Sequence, residues 1–187
     1  MSTRDDLIEA TRELMWERGY GATSPRAILE VSGAGQGSMY HHFRGKEALA
    51  QAAIERNAEG MRAQISADLA SGRTAVEQIR AYLKREREVL KGCRFGRLAQ
   101  DSDVIDSPLL RGEVEEMFTW IRAQLTSVIR SAADRGEFVA ELDAERTAAA
   151  IAATLQGAYV LARAAQDVAV FDDAIEGVLA LLTAAQA

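Results

Sequence analysis

Cysteine occurs once in this chain of 187 residues, at Cys93, and histidine only twice, at the adjacent positions His41 and His42. One thiol cannot build an intrachain disulfide framework, and its scarcity fits a reducing compartment. Adjacent histidines lie about 100° apart around a helix, so they cannot share a metal as pairs four apart do. Neither a metal nor a cofactor is expected. Proline is limited to two residues, which suits an ordinary folded globular chain. No uninterrupted apolar run approaches the ~20 residues that a membrane span needs. The opening MSTRDDLIEATREL carries acidic groups where a signal peptide carries an apolar stretch, so a cytoplasmic location is expected. There is no nucleophile elbow, no histidine close in sequence to a plausible serine or cysteine nucleophile, and no isolated carboxylate pair. An enzyme is therefore not expected.

What is present is 48 % hydrophobic and 27 % charged residues, with a net charge of −6. That balance does not advertise a nucleic-acid binder, but its distribution matters more than its sum. Residues 1–50 hold six basic and seven acidic groups. From Arg26 to Lys46 the acidic group is Glu30 alone, against Arg26, Arg44 and Lys46. An acidic body behind a locally basic face orients that face toward a polyanion, with modest non-specific affinity.

Apolar periodicity predicts helices almost throughout, and the fold class is all-α with about nine helices. The first spans about Arg4 to Arg18, capped by Ser2 or Thr3 and stopped by Gly19. Ser24-Pro25 opens the second, with Ile28 and Val31 expected inward. Gly33-Ala34-Gly35 turns the chain into a third helix, Gln36 to Phe43, backed by Met39 and Phe43. A fourth is expected over Lys46–Ala70 and a fifth from Thr74 through Leu90, ended by Gly92. Residues 92–106 read as irregular, with a helical turn or two around Leu98. Ser107-Pro108 opens a long helix to about Arg135; Asp143 caps another over 144–165; a last runs from about Asp172 to Ala184.

Residues 23–46, TSPRAILEVSGAGQGSMYHHFRGK, thus form a helix-turn-helix whose second helix is polar and aromatic, the kind of helix that usually reads DNA. The rival reading of GAGQGS as a phosphate loop fails: a Walker loop needs lysine between its glycine and serine, and a dinucleotide loop needs a preceding strand.

The order Thr23, Ile28, Gly33, Gly37-Ser38-Met39-Tyr40-His41-His42-Phe43, Lys46-Glu47 resembles the DNA-binding signature of the TetR family of bacterial transcriptional regulators. The match covers about the first fifty residues. The resemblance implies a three-helix head over residues 1–46 on a helical ligand-binding and dimerisation body over residues 47–187. It places Gln36, Gly37 and Ser38 near base edges in the major groove. Tyr40, His41, His42, Thr23, Ser24 and Lys46 would contact phosphates or sugars, which position the head without reading sequence. Two positions depart from the family pattern. Gln36 stands where lysine is frequent, and Gly35 where a serine or threonine cap is common.

The resemblance further implies a homodimer through the last two helices, double-stranded operator DNA as partner, and a small-molecule inducer. Gly157 in the small-residue-rich segment 147–165 and Val178, Leu179, Leu181 and Leu182 in the closing helix fit such an interface. Candidate inducer-lining residues are Met61, Ile65, Leu83, Cys93, Phe95, Met117, Phe118, Trp120, Ile121 and Tyr159, each equally explicable as core. Few charges lie on those faces, so a mostly apolar ligand is expected. Cys93, beside Arg94 and Arg97, has two readings: a small buried residue, or an oxidant or electrophile sensor. The expected function is a ligand-responsive repressor released from a palindromic operator. The alternative is a helical small-molecule carrier without specific DNA recognition.

Overall fold

The computed structural model describes residues 3–187; the expected Ser2 cap lies outside them. The first helix, α1, spans Thr3–Arg18, with Asp5 and Asp6 in its first turn, where the exposed amides favour negative charge. It buries Leu7, Ile8, Leu14 and Met15. Gly19, at φ 86°, ends it by donating its N–H to the Met15 carbonyl. Then α2 spans Pro25–Ser32 and α3 Gln36–His42. Phe43 leaves the helix in an extended conformation and buries its ring as expected.

Beyond the head, α4 spans Lys46–Ala70 and α5 Ala75–Lys84. A 3-10 turn follows at Val89–Lys91, then short α6 (Arg94–Leu98) and α7 (Ser102–Asp106). Long α8 is Pro108–Asp134, and α9 (Ala144–Ala165) and α10 (Ala169–Ala184) close the chain. Two boundaries and one burial differ from expectation for physical reasons. α5 stops at Lys84, because Arg85 turns extended and Arg87 folds back to donate to the carbonyls of Leu83 (3.1 Å) and Tyr82. That guanidinium satisfies two of the last-turn acceptors a helix end leaves open. α10 begins at Ala169, three residues early, because the Asp167 carboxylate accepts the Ala169 N–H (2.9 Å). Val31 is 58 % exposed, whereas Ile28 is fully buried. The eight-residue α2 is too short to bury more than the strip along Ile28.

The chain divides into two compact units, residues 1–61 with 93–117 and residues 62–92 with 118–187. The first is built on Leu7, Ile28, Met39, Leu49, Ile54, Phe95 and Leu110, each at most 1 % exposed. Burying such side chains contributes roughly 1.5–3 kcal/mol apiece before entropy is counted. Polar ties join its helices. Arg12 donates to Asn57 (2.8 Å) and pairs with Glu9, and Arg56 pairs with Asp5 (3.1 Å) and Glu9. Ser107 caps α8 through the Leu110 N–H and donates to Glu47 (2.6 Å).

In the second unit α9 and α10 form a hairpin through Gln166, which is left-handed at φ 53°. Tyr159 and Phe171 meet across it, ring centroids 5.0 Å apart. Glu176 of α10 pairs with Lys84 and, at 3.9 Å, with Arg80 of α5. Thr74 and Glu77 form the capping box of α5. α9 is long and apolar enough to cross a membrane by length and composition, with mean hydropathy 1.2, yet only 28 % of that stretch is buried. No uninterrupted apolar run suggests this, because the hydropathy comes from many alanines with Ile151, Leu155, Val160 and Leu161, interrupted by Thr154, Gln156 and Arg163.

Candidate nucleic-acid interface

The head is shaped by its caps. Ser24 Oγ accepts the Ala27 N–H (3.2 Å), and Pro25 takes the first helical position, where no amide is needed. Gly33, at φ 68°, closes α2 by donating to the Leu29 carbonyl (3.0 Å); a side chain there would be strained. Gly35 precedes α3 without a side-chain cap, and its carbonyl accepts from Ser38 and Met39. Met39 is fully buried, which fixes the rotation of α3 and turns its remaining side chains outward.

Gln36, Gly37, Tyr40, His41 and His42 are exposed, and Ser38 is half-buried. Tyr40 is 55 % exposed, too open for a core tyrosine. The His41 and His42 rings meet edge-on at 5.0 Å. A Cβ built at Gly37 would meet nothing within 4 Å, so nothing in this chain's own packing requires glycine there. The surface is thus a row of donors and acceptors on a rigid apolar back, with room for a groove edge to approach.

The flanks are less free. Thr23 is fully buried, its hydroxyl donating to the Gly19 carbonyl (2.6 Å). It therefore shapes the α1–α2 turn and has no side-chain atom left for a phosphate. Lys46 is half-buried with its ammonium 3.9 Å from the centre of the Tyr20 ring. Burial pushes that ammonium below its ordinary range, while Asp103 and Asp101 pull the other way. Burial first, then Glu47, Asp103 and Asp101, push the Tyr20 phenol up. Exposed on or beside these helices are also Arg26 and Arg44, which the sequence places on a locally basic face without assigning them a contact, and Val31, which it expects inward. Arg26 pairs with Glu30 one turn on (2.8 Å). Its charge was legible, but its 89 % exposed side chain follows only from the rotation of α2.

The expected inducer residues separate by burial. Ile65, Leu83, Phe95, Met117 and Ile121 are core, while Met61, Cys93, Phe118, Trp120 and Tyr159 are half-buried. Met61, Cys93, Phe95 and Met117 belong to the first unit and the others to the second. Trp120 lies under Arg62 (5.9 Å). A groove of about 600 Å³ opens on α5, lined by Ser71, Gly72, Arg73, Glu77, Arg80, Ala81, Lys84 and Arg85. It is cationic and contains none of the expected residues.

A buried-backed, polar second helix after a glycine turn defines a helix-turn-helix DNA-binding protein. The family model of bacterial regulatory proteins of the tetR family matches residues 7–53, and that of the tetracyclin-repressor-like C-terminal domain matches residues 69–178, more than half of the chain. The chain belongs to the TetR family of transcriptional regulators, which are non-enzymatic DNA-binding proteins. It is 30 % identical to the regulator LmrA of Bacillus subtilis over 125 residues, 63 % of this chain and 66 % of that protein. To the uncharacterized regulator YxaF of the same organism it is 31 % identical over 114 residues, 57 % of this chain. The chain covers 60 % of YxaF, so both matches span less than two thirds of the relative. A solved TetR regulator from Chloroflexus aurantiacus superposes with TM-score 0.90 at 29 % identity, covering 98 % of this chain and 96 % of that one.

Proposed function

We propose that the protein is a ligand-responsive repressor that binds a palindromic operator as a homodimer and is released by a mostly apolar small molecule. Residues 1–46 read DNA, and residues 47–187 bind ligand and dimerise. The observation that carries this reading is the exposed row from Gln36 to His42 on a fully buried Met39. Gln36 pairs with a base edge, its carboxamide matching adenine N6 and N7, a contact that discriminates by roughly 1–3 kcal/mol. Gly37 lets the backbone approach. Ser38, Tyr40, His41, His42 and Ser24 supply the remaining polar contacts, Thr23 acts through the turn, and Lys46 lies at the edge. Such a protein works where its DNA is, in the cytoplasm.

The partner for dimerisation is a second copy, through α9 and α10. Val160, Leu161 and Leu181 are 49, 58 and 74 % exposed in the single chain, and Gly157 and Gly177 face open space. A two-fold pair also matches half-sites one helical turn or more apart. The inducer contacts are proposed among Phe118, Trp120 and Tyr159 of the second unit, which are half-buried and keep surface to give. For release, the ligand must bind the conformation that does not fit DNA better than the one that does.

Selection of bound sequences from random duplex DNA, on wild type beside Tyr40→Ala, tests the reading. Enrichment of a palindrome by wild type alone is expected. No enrichment by a folded dimer at low salt would sink it and move the search to ligands of a carrier.

A further inference from the structure

The turn between α1 and α2 is held by a residue eighty positions away. The Gly21 N–H donates to Asp101 Oδ2 (3.0 Å), while Asp101 Oδ1 accepts the Asp103 N–H (3.1 Å) and caps α7. One carboxylate therefore ends on two elements at once. The space the two carboxylates occupy exists because Gly19 and Gly21 lack side chains. A Cβ at Gly19 would lie 2.7 Å from Asp101 Oδ2, and one at Gly21 would lie 2.9 Å from Asp103 Oδ2. Gly19 needs glycine for its φ of 86° in any case, but Gly21 does not. The two aspartates account for glycine at position 21. The same turn carries the buried Thr23, whose hydroxyl bonds Gly19, and Ser24, which starts α2.

We propose that Asp101 is a positioning residue for DNA reading: it locks the α1–α2 turn onto α7 and so fixes α2 and α3 before DNA arrives. The proposal rests on the DNA-reading function above. A turn ordered in advance spares the complex the entropy of ordering it at binding. Asp101 touches no DNA, so its removal weakens affinity without removing a phosphate contact.

Asp101→Ser separates its two tasks. Serine remains a good cap for α7 but is too short to hold Asp103 and Gly21 together. The expected result is faster amide exchange over residues 19–24 and operator affinity lower by roughly three- to tenfold, as for loss of a partly exposed charged hydrogen bond. The salt dependence of binding should keep its slope, because that slope counts phosphate contacts. Gly21→Ala should have the same effect by displacing the carboxylates, and adding Asp103→Ala should restore much of the affinity. The operator is the sequence selected by wild-type protein. Unchanged exchange in Asp101→Ser would overturn the lock, and faster exchange with wild-type affinity would overturn its role in reading. Failure of wild type to select any sequence would instead sink the DNA-reading function, and the exchange result would still decide whether the lock exists.

Discussion

Arg94 offers a perturbation whose size follows from geometry. Its guanidinium sits 3.8 Å from the centre of the Trp16 ring, 2.5 Å from Glu13 Oε1 and 3.3 Å from the Arg12 carbonyl. The Arg94 and Glu13 side chains are 20 and 45 % exposed, so solvent screens the ion pair to about 0.5 kcal/mol. The stacked, partly desolvated cation contributes about 1–2 kcal/mol. The long hydrogen bond to the carbonyl adds about 0.5 kcal/mol. Arg94→Met keeps the aliphatic stem, so it should lose about 2–3 kcal/mol, while Glu13→Gln should lose about 0.5. The assay is equilibrium urea unfolding followed by Trp16 fluorescence in a Trp120→Phe background, which leaves one indole. In about 1 M salt the Glu13→Gln difference should shrink while most of the Arg94→Met loss persists. Equal losses for the two variants, or a salt-erased Arg94→Met effect, would refute the claim that stacking dominates.

Three further outcomes are expected. Arg87→Met frees the Leu83 and Tyr82 carbonyls at the end of α5 and should cost about 1–2 kcal/mol in thermal or urea unfolding. Glu137 is held below the ordinary carboxylate range, chiefly by the Ala75 N–H it accepts (2.9 Å) and also by Arg135. A depressed carboxylate stabilises the fold above its ordinary value of 4.5 and loses that contribution as pH falls through the folded value. Glu137→Gln should therefore be less stable than wild type at neutral pH, the gap closing below 4.5; a gap constant with pH would contradict this. Leu181→Glu changes a 74 % exposed residue, so it should leave each chain folded, with wild-type helicity by circular dichroism, yet give a monomer by light scattering and a melting that no longer rises with protein concentration.

Helices and their caps were legible wherever the signal was local. Ser24-Pro25, Ser107-Pro108 and Asp143 begin α2, α8 and α9 as expected, and α4 keeps its expected bounds. What was not legible depended on distance. The Arg87 side chain ends α5 by reaching back four and five residues, which no periodicity announces. Thr23 fits a phosphate-contact pattern by position, but whether its hydroxyl faces outward is decided by the Gly19 carbonyl beneath it. Val31 satisfies helical spacing with Ile28 and still lies outside, because spacing gives a face and not the width of what covers it. Asp101 and Gly21 carried no signal in one dimension; a glycine with no conformational need for being one becomes visible only when its neighbours are placed.

The composition of α9 argues for the kind of partner proposed above. Large side chains alone would hold a pair weakly. Covering the exposed 49, 58 and 74 % of Val160, Leu161 and Leu181 on both copies yields roughly 5–11 kcal/mol, at about 1.5–3 kcal/mol per fully buried side chain. Association costs about 4–15 kcal/mol in lost freedom, so that gain is consumed or nearly so. The remainder must come from close backbone approach, which exposed Ala149, Ala150, Ala153 and Ala164 permit and larger residues would block. Gly157 and Gly177, open on their own chain, extend the same surface. On the proposed reading, the small-residue face of α9, a helix long and apolar enough by composition to cross a membrane, is a close-packing surface for the second copy.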